Sequence, residues 1–295
     1  MINLGLIGKY IQNSQAPNLF KKLSQDFDLP LTYELFDLKD NDNINFRDYI
    51  KNIKNKKIDG LNVTFPFKEE AAKLSDIKGE EVELTKSSNL LIFKNKITAR
   101  NTDLLGFEKL LNFHFDKKFK NILVIGAGGV GRSICFALTK FGLEKLYLVE
   151  KDSEKLKKIT LELQNQGTKV ISLNEVEPHN EIIFEGVLNC TPIGHEHSLG
   201  NPLENFNFNN VEWVFDAVYV PAETEFVKKA KKSKIKVISG IDLFIFQGIE
   251  GFLLFTEKEK LRDKIYKNIN KIRKFPIHFH FFNYKNATIE LSLAR

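Results

Sequence analysis

Two cysteines cannot staple a chain of 295 residues, and Cys135 and Cys190 fall in a predicted helix and a predicted strand. A disulfide scaffold is excluded, and a reducing cytoplasm is the natural compartment. Long apolar runs are missing as well. No stretch of 18 or more apolar residues occurs, so no membrane-spanning helix is expected. The start, Met1-Ile2-Asn3-Leu4-Gly5, has neither a charged region nor a small-residue cleavage site and does not read as a signal peptide. Strong charge imbalance is absent too. Against 38 acidic residues stand 44 basic ones, and the lysines are scattered along helices rather than clustered with aromatics. They read as solvated faces, so no nucleic-acid surface is expected. The six histidines show no metal-ligand spacing, and His195 and His197, in a loop after Gly194, read as non-functional. No metal is expected.

What is present suffices for two domains of ordinary size, since a 42% hydrophobic share supports real cores. The most informative stretch runs from Lys120 to Glu150. Asn121–Ile125 is a short apolar, β-branched run, the pattern of a strand buried on both faces. Gly126-Ala127-Gly128-Gly129-Val130-Gly131 follows and satisfies G-x-G-x-x-G, then a helix begins at Arg132. A second strand ends at Val149, with Glu150 directly after it. A lone glycine motif is weak. Here the strand before it, the helix and strand after it, and the acid about 20 residues on all agree with dinucleotide binding. One glycine makes the tight turn, one admits the pyrophosphate, and one lets helix pack on strand. Glu150 suits the two ribose hydroxyls of NAD and would repel a 2′-phosphate, which Lys151 or Lys155 would neutralise. NAD is expected over NADP.

Strands and helices alternate elsewhere. Strands are expected at 2–8, 31–36, 59–63, 89–93 and 97–100, with helices at 18–27, 46–54, 68–74 and 104–113. Pro17 sits well in the first turn of a helix. Ser14 is a candidate cap for that helix. After Glu150 come a helix at 153–164, strands at 169–173, 182–189, 213–217 and 235–239, an apolar helix at 243–255 and another at 259–273. The reading is α/β, with mostly parallel sheets in two domains. Residues 1–103, completed by helices at 240–275, form an N-terminal substrate domain. Residues 104–239 form a doubly wound Rossmann domain. The tail at 276–295 is expected to make a short edge strand or an oligomer contact, the latter implying a homodimer.

Lys68 follows Pro66-Phe67 at a helix start, and Asp103 sits at another. Alone, Lys68 reads as a solvated helix lysine. Paired with Asp103 it would suit proton transfer to a carbonyl oxygen during hydride attack. Gln247 is a lone amide among Leu243-Phe244-Ile245-Phe246 and needs a partner.

Together the motifs resemble the shikimate/quinate dehydrogenase family over about residues 2–260. The resemblance rests on Gly8…Ser14-x-x-Pro17, Asn62-x-Thr64-x-Pro66-x-Lys68, Asn101-Thr102-Asp103 with Gly106, Gly126-Ala127-Gly128-Gly129, Asn189-Cys190-Thr191-Pro192-x-Gly194, Asp216-x-x-Tyr219-x-Pro221, and Gly240 followed by Gln247. It implies reduction of 3-dehydroshikimate to shikimate with a nicotinamide coenzyme, in aromatic amino-acid biosynthesis, or oxidation of quinate. It makes Lys68 the acid/base and has Asp103 fix it and a substrate hydroxyl. Ser14 and Tyr219 would hold the substrate carboxylate, and Asn62, Thr64, Asn89 and Gln247 the ring hydroxyls. Gly126 to Gly131, Glu150, Lys151, Lys155, Asn189, Thr191, Pro192 and Gly240 would line the coenzyme, Asn189 by shaping its loop.

The chain also departs from the pattern. Ala16 stands where a second serine is usual, which brings quinate forward as an alternative substrate. Leu90 replaces the usual threonine after Asn89, and Phe244 an aliphatic residue or methionine beside the nicotinamide. Glu150-Lys151-Asp152 replaces the usual Asn-Arg-Thr of NADP-binding members. Two rivals remain. A methylene-tetrahydrofolate dehydrogenase plan would need a Tyr-x-x-x-Lys pair, which the Pro66-Phe67-Lys68 region lacks. A non-catalytic sensor binding dinucleotide and a cyclic acid is opposed by intact Lys68 and Asp103.

Overall fold

The computed structural model describes residues 1–40, 44–173 and 182–274, so the tail expected at 276–295 lies outside the described residues. The first half builds a mixed six-stranded sheet. Its elements are β1 (Ile2–Gly8), α1 (Ala16–Phe27), β2 (Leu31–Asp37), α2 (Phe46–Lys54), β3 (Gly60–Val63), α3 (Lys68–Leu74), β4 (Ile77–Lys78), α4 (Glu80–Thr85), β5 (Leu90–Phe93) and β6 (Ile97–Arg100). The strand order is β2-β1-β3-β5-β6-β4. β1 runs parallel to β2 and β3, but β5 is antiparallel to both β3 and β6. This half is less parallel than expected. The few residues between Phe93 and Ile97 can turn a hairpin but cannot make a crossover. The short β4 and α4, too brief to leave a periodic signal, escape the sequence reading.

α5 (Thr102–His114) leads into the second sheet, made of β7 (Phe119–Ile125), β8 (Leu143–Val149), β9 (Lys169–Leu173), β10 (Gly186–Asn189), β11 (Trp213–Asp216) and β12 (Lys236–Ser239). Its order is β12-β11-β10-β7-β8-β9, with every pair parallel. Counted from β7, this is the 3-2-1-4-5-6 arrangement of a doubly wound dinucleotide fold. The helices are α6 (Gly129–Gly142), α7 (Ser153–Gln164) and an unanticipated α8 (Glu225–Lys232). The strand expected at 182–189 shrinks to β10, because ladder pairing starts only where Gly186 stands opposite Ile122 and Trp213.

α9 (Gly240–Thr256) is buried along nearly its whole length, as an almost wholly apolar helix must be. Ser239 and Asp242 form a reciprocal capping box at its start. The helix expected at 259–273 breaks into a 3-10 turn (Glu259–Leu261), α10 (Arg262–Lys267) and α11 (Ile269–Arg273). These pieces dock on α9. Arg262 and the Tyr266 hydroxyl donate to the buried Glu250 carboxylate, and Arg273 donates to Asp242.

One apolar cluster runs from Leu4, Leu19 and Phe20 through Leu104 and Phe107 of α5 to Ile122 and Val124 of β7, and takes in Phe246 and Phe252 of α9. α5 and α9 therefore weld the two sheets together. They pack closely at Gly106, where a Cβ would stand 2.6 Å from the Gln247 backbone nitrogen. Gly106→Ala should destabilise the protein by about 1–3 kcal/mol through overpacking, although alanine is the better helix former by about 1 kcal/mol. Thermal unfolding checks this, and an unchanged or raised midpoint would contradict it.

Candidate active site in the cleft between the sheets

A cleft of about 900 Å³ opens between the two sheets. Every residue expected to touch substrate or transfer a proton lines it: Ser14, Asn62, Thr64, Lys68, Asn89, Asp103, Tyr219 and Gln247.

Lys68 reaches the cleft because of the turn before it. The Phe67 N–H donates to the Thr64 carbonyl across a segment holding the cis Phe65–Pro66 bond. The Phe67 ring then stacks on Phe46 at 4.6 Å, which anchors the start of α3. Asp103 stands in the first turn of α5, where the helix dipole favours a carboxylate. The Asn101 side chain caps that helix by accepting from the Leu104 N–H. Its amide in turn donates to Thr85 Oγ1 and the Ser87 carbonyl and lies 3.2 Å from Ser133 Oγ, so the cap is braced from both halves of the molecule.

Lys68 Nζ donates to Asp103 Oδ2 at 2.6 Å. The two side chains are only 17% and 9% exposed, so this charge-assisted bond is weakly screened. The other oxygen, Asp103 Oδ1, accepts from Asn89 Nδ2 at 3.0 Å. Asn89 is locked in turn, since its Oδ1 accepts from the Thr102 N–H at 2.7 Å. The Thr102 hydroxyl donates to Gln247 Oε1 at 3.1 Å, and Gln247 Nε2 donates to the Phe244 carbonyl. Gln247 thus has the partner that its apolar helix demands. Asn62 Oδ1 accepts from the Tyr33 hydroxyl at 2.8 Å, and Asn62 Nδ2 donates to the Asn89 carbonyl. Burial holds the Tyr33 phenol far above its ordinary range, so it stays a neutral donor. Tyr33 and Thr102 belong to this network but were not foreseen. Thr102 sat inside the Asn-Thr-Asp motif, whereas Tyr33 has no local signal.

Ser14 turns out not to be the helix N-cap, which is Gln15. Its hydroxyl accepts from the Ala16 N–H at 3.3 Å, a weak contact at the cleft wall. Ala16 is buried against Leu6 and Ile11. Tyr219 comes from the loop after β11, and burial together with the Asp103 charge raises its phenol above the ordinary value. Its ring lies 6.2 Å from that of Phe244.

The glycine loop fits a dinucleotide pyrophosphate. Gly126 has φ +89°, a backbone conformation that L side chains rarely adopt. A Cβ on Gly131 would stand 2.1 Å from the Gly126 oxygen, so helix and strand could not close with any other residue. Gly128 has open space where a side chain would be and stands at the N-cap of α6 without a side-chain cap, leaving amides for an anion. Above Gly129 the nearest atom is Lys68 Cδ, at 3.7 Å from an ideal Cβ, so the amine stem lies against the nucleotide loop. Glu150 Oε2 accepts from the Ala127 N–H at 2.8 Å, and Lys155 Nζ lies 3.8 Å away. The acid at the end of β8 therefore faces the glycine loop. Lys151 is exposed. Asn189 shapes its loop, accepting from the Thr191 N–H and hydroxyl and donating to the Ile193 carbonyl and Asp216. Pro192 lies exposed on the same loop, and a Cβ on Gly240 would meet the Ala217 carbonyl at 2.5 Å.

The sequence assigned no role to His195 and His197. The fold brings both to the cleft together with Glu196.

A family model described as shikimate dehydrogenase substrate binding domain matches residues 6–91, and one described as shikimate/quinate 5-dehydrogenase matches residues 109–236. A protein of Pelagibacter ubique named shikimate dehydrogenase (NADP(+)) is 33% identical over 252 residues, covering 85% of this chain and 91% of that protein. Among solved structures, quinate dehydrogenase from Corynebacterium glutamicum in complex with NAD superposes with a TM-score of 0.78 at 25% identity, covering 90% of this chain and 99% of that one. Shikimate 5-dehydrogenase from Thermus thermophilus, in complex with NADP(H) and shikimate, superposes with a TM-score of 0.75 at 25% identity over 87% and 94% of the two chains. With matches along both halves and a relative of this identity over most of its length, the chain belongs to the shikimate/quinate dehydrogenase family.

Proposed function

We propose that this protein is a shikimate dehydrogenase, reversibly reducing the ring ketone of 3-dehydroshikimate to the shikimate alcohol with a nicotinamide coenzyme. The carrying observation is the 2.6 Å Lys68–Asp103 pair, set in the wall of the cleft and packed against the glycine loop. The coenzyme, when bound, supplies the hydride. The residues do the rest. Lys68 donates toward the ketone oxygen and protonates the developing alkoxide, a charge that a partly desolvated ammonium stabilises well. Asp103, held by Asn89, keeps the amine aimed and accepts from a substrate hydroxyl. Ser14 and Tyr219 hold the carboxylate, while Asn62, Thr64, Asn89 and Gln247 hold the ring hydroxyls. We assign substrate binding to residues 1–103 with the helices after 240, and coenzyme binding to residues 104–239. A cytoplasmic site of action accords with two free cysteines. Among the described residues no helix is long and apolar enough to cross a membrane. Coenzyme-linked turnover of shikimate and of quinate, each with NAD and NADP, tests the whole reading. No turnover with any pair would overturn it and favour the sensor alternative.

A second reading, oxidation of quinate, follows from Ala16. With a methyl group in place of a hydroxyl, the cleft loses one donor and leaves room for a differently substituted ring.

Lys68→Ala should lower turnover about 10²–10⁴-fold while coenzyme still binds, and Asp103→Asn should be similarly severe with some loss of substrate affinity. Near-wild-type turnover of a folded Lys68→Ala protein would remove Lys68 from the acid/base role. Ala16→Ser should tighten shikimate binding by on the order of 1 kcal/mol, the net worth of one hydrogen bond. That gain should appear in KM rather than in kcat, and a gain confined to quinate would show that residue 16 does not face the carboxylate.

Coenzyme preference rests on Glu150. The ribose diol offers its carboxylate two hydrogen bonds, whereas a 2′-phosphate meets like charge. Lys155, 44% exposed, recovers only part of that cost. NAD should therefore win in kcat/KM, and Glu150→Ala should narrow or invert the preference. A wild-type preference for NADP of about tenfold, 1.4 kcal/mol in binding terms, would mean that the lysines dominate.

A further inference from the structure

Beside the coenzyme loop the chain carries a second cluster of chemical groups that the dehydrogenase reaction does not use. After Gly194, at φ +109°, the backbone folds into a tight turn. The Ser198 N–H donates to the His195 carbonyl at 2.8 Å, and the Gly194 N–H donates to the Ser198 carbonyl at 2.7 Å. The His195 N–H is tied back to the Pro192 carbonyl. The turn is thus braced on both sides, and its tip holds three consecutive side chains with metal-ligating atoms, His195, Glu196 and His197. One ligand atom from each lies within 4.8 Å of the others. The two imidazole rings are 5.3 Å apart, and His197 Nε2 lies 3.4 Å from Glu196 Oε1.

The geometry points to a binding site for one borderline divalent ion of the zinc or nickel class at the mouth of the cleft, an ion that narrows the entrance when bound. Two imidazoles and one carboxylate form the donor set such ions prefer over magnesium or calcium, which take oxygen ligands. Nitrogen and oxygen donors on one zinc sit about 2.0–2.2 Å from it, so roughly 3.3 Å from one another in a tetrahedral site. The present spacing therefore has to contract by rotation of side chains that are 82% and 65% exposed at His197 and Glu196. His195 is more enclosed, and its Nδ1 accepts only a long 3.3 Å bond from the His197 N–H, which a metal bond can replace. Three ligands leave an open coordination position. All three residues line the same cleft as Lys68, so the ion and its remaining ligands would lie over the path of substrate. This inference does not depend on which alcohol the enzyme oxidises.

The test is a zinc titration of the full-length protein against a chromophoric chelator, repeated for two double variants. One is His195→Ala with His197→Ala. The other is His278→Ala with His280→Ala, which removes the remaining His-x-His pair of the sequence, outside the described residues. The wild-type protein should bind one equivalent at the turn. The first variant should lose it, or bind it about tenfold or more weakly. The second should retain it. Retention of that equivalent by the first variant, shown to be folded by its thermal unfolding, would overturn the site. In parallel, wild-type turnover should fall when zinc is added and recover with EDTA, while turnover of the first variant should be insensitive to zinc. Zinc bound at the turn with no change in wild-type turnover would overturn the placement over the entrance.

Discussion

The carboxylate of Asp103 is the point on which the cleft depends. It sits at the N-terminus of α5, where backbone amides and the helix dipole favour negative charge, and both of its oxygens are engaged. One holds the Lys68 ammonium and the other holds Asn89, which orders Thr102 and through it Gln247. A partly buried charge that lost these partners would be costly, because the interior screens poorly and an unpaired ion cannot recover its hydration. The arrangement therefore stands or falls together. A side chain that moved would leave a buried polar group without a partner.

That network can be held tightly because the helices carrying it are themselves immobilised. Gly106 lets α9 approach α5 closely enough for Gln247 to reach Thr102. The Asn101 cap draws on Thr85 and Ser87 from one half and on Ser133 of α6 from the other. Arg132, just past the glycine loop, adds a link by donating to the Leu84 and Thr85 carbonyls at the end of α4 while pairing with Glu162. The glycine loop and the Lys68–Asp103 pair are thus built on one continuous frame. In the proposed reaction, preorganisation of this kind would hold the Lys68 ammonium where negative charge develops.

The glycine loop shows a different economy. Gly126, Gly128 and Gly131 meet three separate demands: a left-handed backbone, an open face, and a close approach of helix to strand. Glu150 belongs to the same design, since its carboxylate ties down the Ala127 and Asp152 amides. The acid proposed to select the coenzyme thus also braces the glycine loop.

The amino-acid sequence alone determined the doubly wound second half, the glycine loop with its acid, and Lys68 and Asp103 as candidate partners. Those features are local: period-2 and period-3.6 hydrophobicity, turn chemistry, and motifs a few residues long. Helices Phe46–Lys54 and Ser153–Gln164 fall where hydrophobic patterning puts them, and in the structure a capping side chain, Asn45 or Asp152, fixes each start. The antiparallel insertion of β5, the short β4 and α4, and the break at Asn268 were not legible, since pairing direction and packing on α9 decided them. Only the tertiary structure decided that Tyr33 holds Asn62, that Asn89 and Lys68 divide the two oxygens of Asp103, and that His195, Glu196 and His197 line the same cleft. These contacts join residues far apart in the chain or depend on how a loop is placed. No local pattern encodes them, because the free energy that selects them comes from burying and pairing groups which meet only after the two sheets have closed on α5 and α9.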